Sequence, residues 1–393
     1  MRDGWVETTL DGIADYINGY PFKPADLGEV GLPVIRIKQL LDPNEPVDRT
    51  ETETPDRCLL RDGDIVFSWS GTLAVRIWNR GPAKLNQHLF RVVEKKGVYK
   101  GIIPLILDHA IEELEEKSHG TTMKHITKQT LLPHKVLLPP LPEQKRIVDL
   151  ISSVDSYIEA LQRQLESAKR SRNAVLHELL TAGGDDWVET TLGEITDLVR
   201  GPFGGSLKKE IFVQEGFAVY EQQHAIYGDF STIRYRISSE KFDEMKRFSL
   251  VPGDLIMSCS GTMGKVRIVP KEADPGIINQ ALLKIKPKSN LSSDFLYLWM
   301  QSDDFIRQIE MNSGGGALQN VSSVKMLKGI KLRVPGLLEQ ERIIGIISMF
   351  DEVIIKTELA ICEAKNLRSG LLSDLLSGAH DIPTSYDKVI GAA

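Results

Sequence analysis

From Glu143 to about Leu180 apolar residues return in steps of four and three: Ile147, Ile151, Val154, Ile158, Leu161, Leu165 and Ala168. After Glu339 the same steps bring Ile343, Ile347, Phe350, Ile354, Thr357, Ile361 and Ala364. Such spacing keeps one stripe of a helix apolar and marks the seam of a coiled coil. The next seam position is Arg172 in one stretch and Arg368 in the other, which fits a register device or a contact outside the pair. Pro139, Pro140 and Pro142, and Pro335 with Gly336, disfavour an earlier start; Gly183, Gly184 and Gly378 end the helices. At 1.5 Å per residue, about 38 residues make a rod of about 57 Å. Two such helices pack most simply as an antiparallel pair; the alternative is two core helices of separate domains.

Elsewhere the period shortens to that of strands. Residues 63–67, 75–78 and 136–138 are β-rich, as are 253–257, 265–269 and 330–334, and one helix follows late in each part, at about 101–117 and 293–311. This pattern predicts an α+β fold with a mixed, largely antiparallel sheet.

The two halves are copies. Trp5-Val-Glu-Thr-Thr-Leu10 recurs as Trp187-Val-Glu-Thr-Thr-Leu192, at an offset of 182. Gly63-Asp64 with Ser70-Gly71-Thr72 returns as Gly253-Asp254 with Ser260-Gly261-Thr262, at 190, and Asn86-Gln87 returns as Asn279-Gln280, at 193. Glu143-Gln144-Lys-Arg146-Ile147 matches Glu339-Gln340-Glu-Arg342-Ile343 at 196, and that offset then holds to Leu375-Leu376. The chain is therefore one two-part unit written twice, a mixed part followed by a helix.

Composition narrows the partners. Lys and Arg total 48 against 54 for Asp and Glu, a net charge of −6, which excludes a uniformly basic nucleic-acid coat but leaves local basic faces open. Cys58, Cys259 and Cys362 lie far apart in sequence and show no paired spacing, which argues against a disulfide framework or zinc cluster, and no apolar run is long enough to span a bilayer. A soluble, cytoplasmic chain with no membrane partner is expected.

Catalytic chemistry finds no foothold. There is no phosphate-binding glycine–lysine loop, no glycine-rich dinucleotide turn and no His/Cys ligand spacing, and Gly314-Gly315-Gly316 has no lysine beside it. Asp64 and Asp254 read as turn residues, and Ser70 and Ser260 have no recurring histidine to activate them. The loops instead supply hydroxyls, amides and cations suited to phosphates and base edges. In the first copy these are Ser68, Trp69, Ser70, Thr72, Asn86, Gln87, His88, Thr121, Thr122, Lys124 and His125. The second copy offers Ser258, Ser260, Thr262, Asn279, Gln280, Gln319 and Asn320. Each Asn or Gln taken singly is equally well a satisfied turn residue.

In this order, the paired Trp-x-x-x-x-Leu openings, Gly-Asp strands with Gly-Thr, Asn-Gln pairs and Glu-Gln-x-Arg-Ile helix openings resemble the specificity subunits of type I restriction–modification enzymes over essentially the whole chain. The resemblance implies two tandem recognition domains, 1–142 and 185–336, with spacer helices 143–184 and 337–380 packed as an antiparallel coiled coil under a pseudo-two-fold, and a tail 381–393. It implies double-stranded DNA as ligand and two methyltransferase (M) subunits and restriction/translocase (R) subunits as partners. S-adenosylmethionine, ATP and Mg would serve those partners, with no catalytic, cofactor or metal site in this chain. Regions 18–57 and 199–250, which do not align between copies, are where different bases would be read. Candidates there are Arg36, Lys38, Arg200, Lys208, Lys209, Gln222, Gln223 and His224, each alternatively plain solvated surface. Leu337-Leu338 replaces Leu141-Pro142 and puts an equal helix geometry in doubt. Two other functions stay open: a coiled-coil scaffold with protein-binding ends, and a recognition subunit of another modification or phage-exclusion system.

Overall fold

A computed structural model describes residues 2–117, 128–260, 262–312 and 324–389. The Trp openings become strands that close each copy on itself. Val6–Thr9 pairs antiparallel with Lys135–Leu138, and Val188–Thr191 with Lys331–Val334. The Leu of each motif then starts a one-turn helix, Leu10–Ile13 or Leu192–Ile195, and is fully buried. The turn is held locally in both, by Thr9 Oγ1 accepting from Gly12 N at 3.1 Å and by the Glu194 carboxylate accepting from Thr191 N at 2.9 Å.

Two sheets, rather than one, follow in each copy. In the first, Ala14–Asn18, Leu89–Glu94, Ile65–Ser68 and Ala74–Ile77 lie in that order, all antiparallel. The other sheet orders Arg49–Thr50, Leu32–Ile35, Ala83–Leu85 and Leu59–Leu60, with its central pair parallel. The second copy repeats this with Thr196–Arg200, Leu282–Pro287, Leu255–Ser258 and Val266–Ile268, then with five strands around the parallel pair Phe217–Tyr220 and Gly276–Ile278. The two-residue strands Arg49–Thr50 and Leu59–Leu60 are too short to give an alternating pattern, so the second sheet is not readable from periodicity. The late helix is Ile102–Lys117 in the first copy; the second has two, Ser293–Trp299 and Asp303–Asn312, where one was expected.

The long helices run Leu141–Ala182 and Leu337–Leu376. The first thus starts two residues before Glu143, with Pro142 in its opening turn, where a missing N–H costs nothing. Both starts share one geometry despite Pro142. The fully buried Gln144 accepts from Tyr99 N at 2.7 Å and donates to the Pro139 carbonyl at 2.8 Å. Gln340 accepts from Ser292 N at 2.8 Å and donates to the Pro335 carbonyl at 2.9 Å. The Gln of the repeated motif is therefore a buried peg joining helix, strand and the lead-in to the late helix.

Two compact units result, residues 1–162 with 359–393 and residues 163–358. They cut each long helix near its middle, whereas the sequence divisions keep each helix whole. In the first unit, Ile147 and Ile151 join Ile65, Phe67, Phe90 and Ile102 in one core with Leu372 and Leu375 from the other helix's end. Arg368 grips Asp155 with both guanidinium arms, which together with the core pairing sets these two helical segments antiparallel. In the second unit, Ile343 and Ile347 share a core with Leu176, and Arg172 grips Asp351 at 2.5 and 3.3 Å. Asp351 and Arg368 are Asp155 and Arg172 displaced by the repeat offset of 196. The seam arginines are thus a register device used twice, and both expectations for the helices hold at once: each packs on the other and on a globular core. The remaining seam residues Val154, Leu161, Leu165, Phe350 and Ile354 are half-buried, and Ile158 and Ile361 are buried.

Beside Arg368 lies Asp108, half-buried on the late helix. Burial pushes its carboxyl up to about 6 against the pull of Arg368 and Arg76, with Glu112 and Asp155 adding to the rise. The Tyr99–Gln144 and Ser292–Gln340 bonds fix the local offset at 193, which places Gln301 at the matching position of the second unit. Gln301 is neutral, and its buried Nε2 has no hydrogen-bond partner. No helix among the described residues is long and apolar enough to cross a membrane.

Candidate nucleic-acid interface

Four segments converge at one place in each copy, and a backbone hydrogen bond ties the Asn-Gln turn to the parallel strand. The Asn of the Asn-Gln pair donates its N–H to the end of the parallel strand, Asn86 to Ile35 at 3.0 Å and Asn279 to Tyr220 at 2.9 Å. Its side chain closes the turn, Asn86 Oδ1 accepting from His88 N at 3.2 Å and Asn279 Oδ1 from Ala281 N at 3.0 Å. The chain leaving the first sheet strand crosses directly over this turn at Gly19 or Gly201. A Cβ at Gly19 would lie 2.3 Å from the Asn86 carbonyl oxygen, and at Gly201 1.8 Å from that of Asn279. Glycine is required at both for close approach.

The Ser-x-Ser-Gly-Thr loop is locked by its first serine. Ser68 Oγ donates to the Thr72 carbonyl and Ser258 Oγ to that of Thr262, each at 2.6 Å. Ahead of each loop, Asp64 accepts from Arg61 N at 2.8 Å and Asp254 from Val251 N at 3.0 Å, so both act as the turn residues expected. The fourth segment is a short helix after the parallel strand, Ile37–Leu41 or Gln222–Tyr227. A side chain at its third position caps it: Gln39 accepts from Arg36 N at 3.3 Å and His224 from Glu221 N at 2.9 Å. Regions that share no sequence pattern therefore share this corner, at an offset of 185.

That frame sorts the candidates. Ser68, Ser258 and Asn86 are buried and Asn279 half-buried, so they shape the loops and are not free to meet a base. His224 is fully buried between Tyr220 and Phe230, and its second ring nitrogen faces the Thr232 carbonyl; it is a capping and core residue rather than a reader. Gln222 donates to the Ser260 carbonyl and braces the loop. Trp69 is half-buried and packs on Phe90 at 5.5 Å, Ser70 and Ser260 are half-buried, and Arg36 is held by Asp48 at 2.7 Å. The exposed set is Lys38, Thr72, Gln87 and His88 in the first copy, and Lys208, Lys209, Gln223, Thr262 and Gln280 in the second. Lys38 and Gln223 occupy the same place on the frame. Thr121, Thr122, Lys124, His125, Gln319 and Asn320 lie outside the described residues.

In the second copy the glycine crossing, the serine loop and the Asn-Gln turn border an open cleft of about 730 Å³ lined by Arg200, Arg247 and Lys328 with Ser260, Gln280 and the 92% exposed Phe203. Arg247, Lys328 and Phe203 were missed by sequence reading. Only the fold brings Lys328 from beyond the late helices to a loop more than one hundred residues earlier, and the lone Phe carries no pattern. At the offsets that hold locally, the three cations correspond to Asn18, Arg57 and Leu132 in the first copy. The cleft concentrates positive charge on a chain that is acidic overall, as phosphate contacts require.

Comparison with known proteins agrees with the repeat. A model of the type I restriction modification DNA specificity domain matches residues 2–170 and again 184–363. The chain is 23% identical over 413 residues to the type I restriction enzyme EcoBI specificity subunit of Escherichia coli, covering 96% of this chain and 86% of that one. It is 22% identical over 325 residues to the MjaVIII specificity subunit of Methanocaldococcus jannaschii, covering 77% and 75%. Its fold is similar to a chain of a solved type I R-M system structure on complex assembly and conformational transition, with a TM-score of 0.65 at 17% identity over 96% of this chain and 98% of that one. A crystal structure of a type I S subunit from M. genitalium follows, with a TM-score of 0.53 at 17% identity over 96% and 97%. With the specificity domain matched twice and most of the chain covered, this protein belongs to the type I restriction–modification specificity subunits, the non-catalytic chains that carry two target recognition domains.

Proposed function

We propose that the two loop clusters each bind double-stranded DNA and read one half of a bipartite, asymmetric site. The observation that carries this is one locked frame that repeats the exposed Thr72 and Gln87 as Thr262 and Gln280 but presents Lys38 in the first copy where the second has Gln223. Common backbone locks and the shared Thr and Gln suit a common duplex, and a cation in one copy where the other has an amide suits unlike bases. The long helices set the gap between half-sites and dock two methyltransferase (M) subunits, which restriction/translocase (R) subunits join. S-adenosylmethionine, ATP and Mg are used by those partner chains, and the assembly works in the cytoplasm, where its DNA is.

The test is a modified-base map of host DNA with and without this gene. The expected result is a two-part adenine-methylated sequence that disappears with the gene; an unchanged methylome contradicts the reading. Inserting four residues, about one turn, into each long helix lengthens the gap and leaves both half-sites unaltered. Altered half-sites at an unchanged gap would contradict the spacer role.

A further inference from the structure

Phe203 is a phenyl ring with 92% of its surface in water, placed at the mouth of a cleft that holds three cations. Its presentation is built rather than loose. Gly201 is pinned by donating to the Leu282 carbonyl at 2.9 Å, Pro202 is buried in the wall behind it, and Ser206 N returns to the Phe203 carbonyl at 2.9 Å. The ring has no polar atom to satisfy in water. It gains free energy only by meeting another apolar surface. In the first copy the aromatic residue of the same loop, Phe22, is half-buried and packs edge-on against Tyr20 at 4.9 Å, so it is already spent within the protein.

We propose that Phe203 is a wedge that enters duplex DNA at a base-pair step of the half-site read by the second copy, while Arg200, Arg247 and Lys328 hold the flanking phosphates. Cations that draw the backbone down around the cleft bring base faces to the ring, the π-surface with which a phenyl group packs best. Steps that unstack easily, pyrimidine followed by purine, are favoured, so the wedge contributes specificity through deformability without a hydrogen bond. The first copy, with Phe22 folded onto Tyr20, reads its half without this device.

This rests on the proposed DNA-reading function, and the experiment separates the two. The full chain, in complex with its methyltransferase partners, is bound to duplexes bearing the mapped site with 2-aminopurine placed singly at each position of each half. Expected is a fluorescence rise at one step of the second copy's half, away from the methylated adenine, whose own extrusion brightens its signal separately. Phe203→Ala abolishes that rise and weakens specific binding about tenfold, with the salt dependence unchanged. Phe203→Leu keeps most of both, and Arg247→Ala keeps the rise at saturation while flattening the salt slope by about one unit. Because Phe203 is exposed, unfolding midpoints of its variants match the parent. An unchanged rise in Phe203→Ala overturns the wedge, and so does loss of the methyltransferase partners from that variant, which would make Phe203 a protein contact. Absence of any gene-dependent methylated site overturns the DNA reading itself, before the wedge is tested.

Discussion

At the loop cluster the first copy has Asn18, Arg57 and Leu132 where the second has Arg200, Arg247 and Lys328, yet the bonds beneath them are the same in both. Along the helices the contrast is of the other kind. The ion pairs Asp155–Arg368 and Asp351–Arg172 are equivalent by the repeat, but Asp108 stands beside one and Gln301 in the matching place by the other. The lesson is that duplication keeps the bonds that close the backbone, whether or not the side chain making them is the same, and lets some outward positions and polar gap-fillers change. That division is testable, because frame residues should cost stability and display residues should cost recognition.

The largest stability effect belongs to the crossing glycine. Gly201→Ala places a methyl against the Asn279 carbonyl and is expected to destabilise by about 3 kcal/mol; Gly19→Ala should cost somewhat less. Gly205→Ala, where a Cβ meets open space, should stay within about 0.5 kcal/mol. Urea midpoints of the full chain read the difference, and equal responses at 201 and 205 would remove the crossing as a constraint. Replacing His224 with Ala should cost about 2 kcal/mol, through a lost cap and a buried gap. Its effect on recognition then scales with unfolding; a loss of specificity in a fully stable variant would restore His224 as a reader.

A pH difference between the units comes next. The Asp108 pKa is raised in the folded chain, so the native state binds the extra proton and this group's stabilisation is present below about pH 4 and lost as pH rises through about 6. Asp108→Asn should therefore be more stable than the parent above pH 6, by about 2 kcal/mol, and should match it near pH 4. Gln301→Glu would transplant that dependence into the second unit. Thermal unfolding at both pH values decides; a variant–parent gap that grows on acidification would reverse the sign and refute the assignment. The smallest stability effects belong to the display positions. Lys38→Ala, Gln87→Ala and Gln223→Ala should each leave the unfolding midpoint within about 0.5 kcal/mol while changing which sequence is bound.

Much of this is legible in the sequence, for reasons that differ by region. The helices announce themselves because a seam repeats its apolar spacing over many turns, and the seam arginines stood out because they interrupt it. The frame was half visible: Asn86 and Ser68 could be seen to recur with Asn279 and Ser258, but not whether they pointed out or in. They point in, since a short polar side chain that closes a turn is consumed by it. The second sheet and its corner were hidden by two-residue strands and by unlike caps, Gln39 and His224, doing the same job with different chemistry. Lys328 and Arg247 could not have been paired with Arg200 from sequence, because only the packing of a helix and a turn beside the strand end brings them together.

The central claim is that each copy reads its own half of the site. It is tested most directly by mapping modified bases in cells whose only source of this subunit carries Gln223→Ala with Gln280→Ala. The account predicts methylation that relaxes or shifts at one half-site, with the other half and the gap unchanged. Changes in both halves, or in neither, would contradict it.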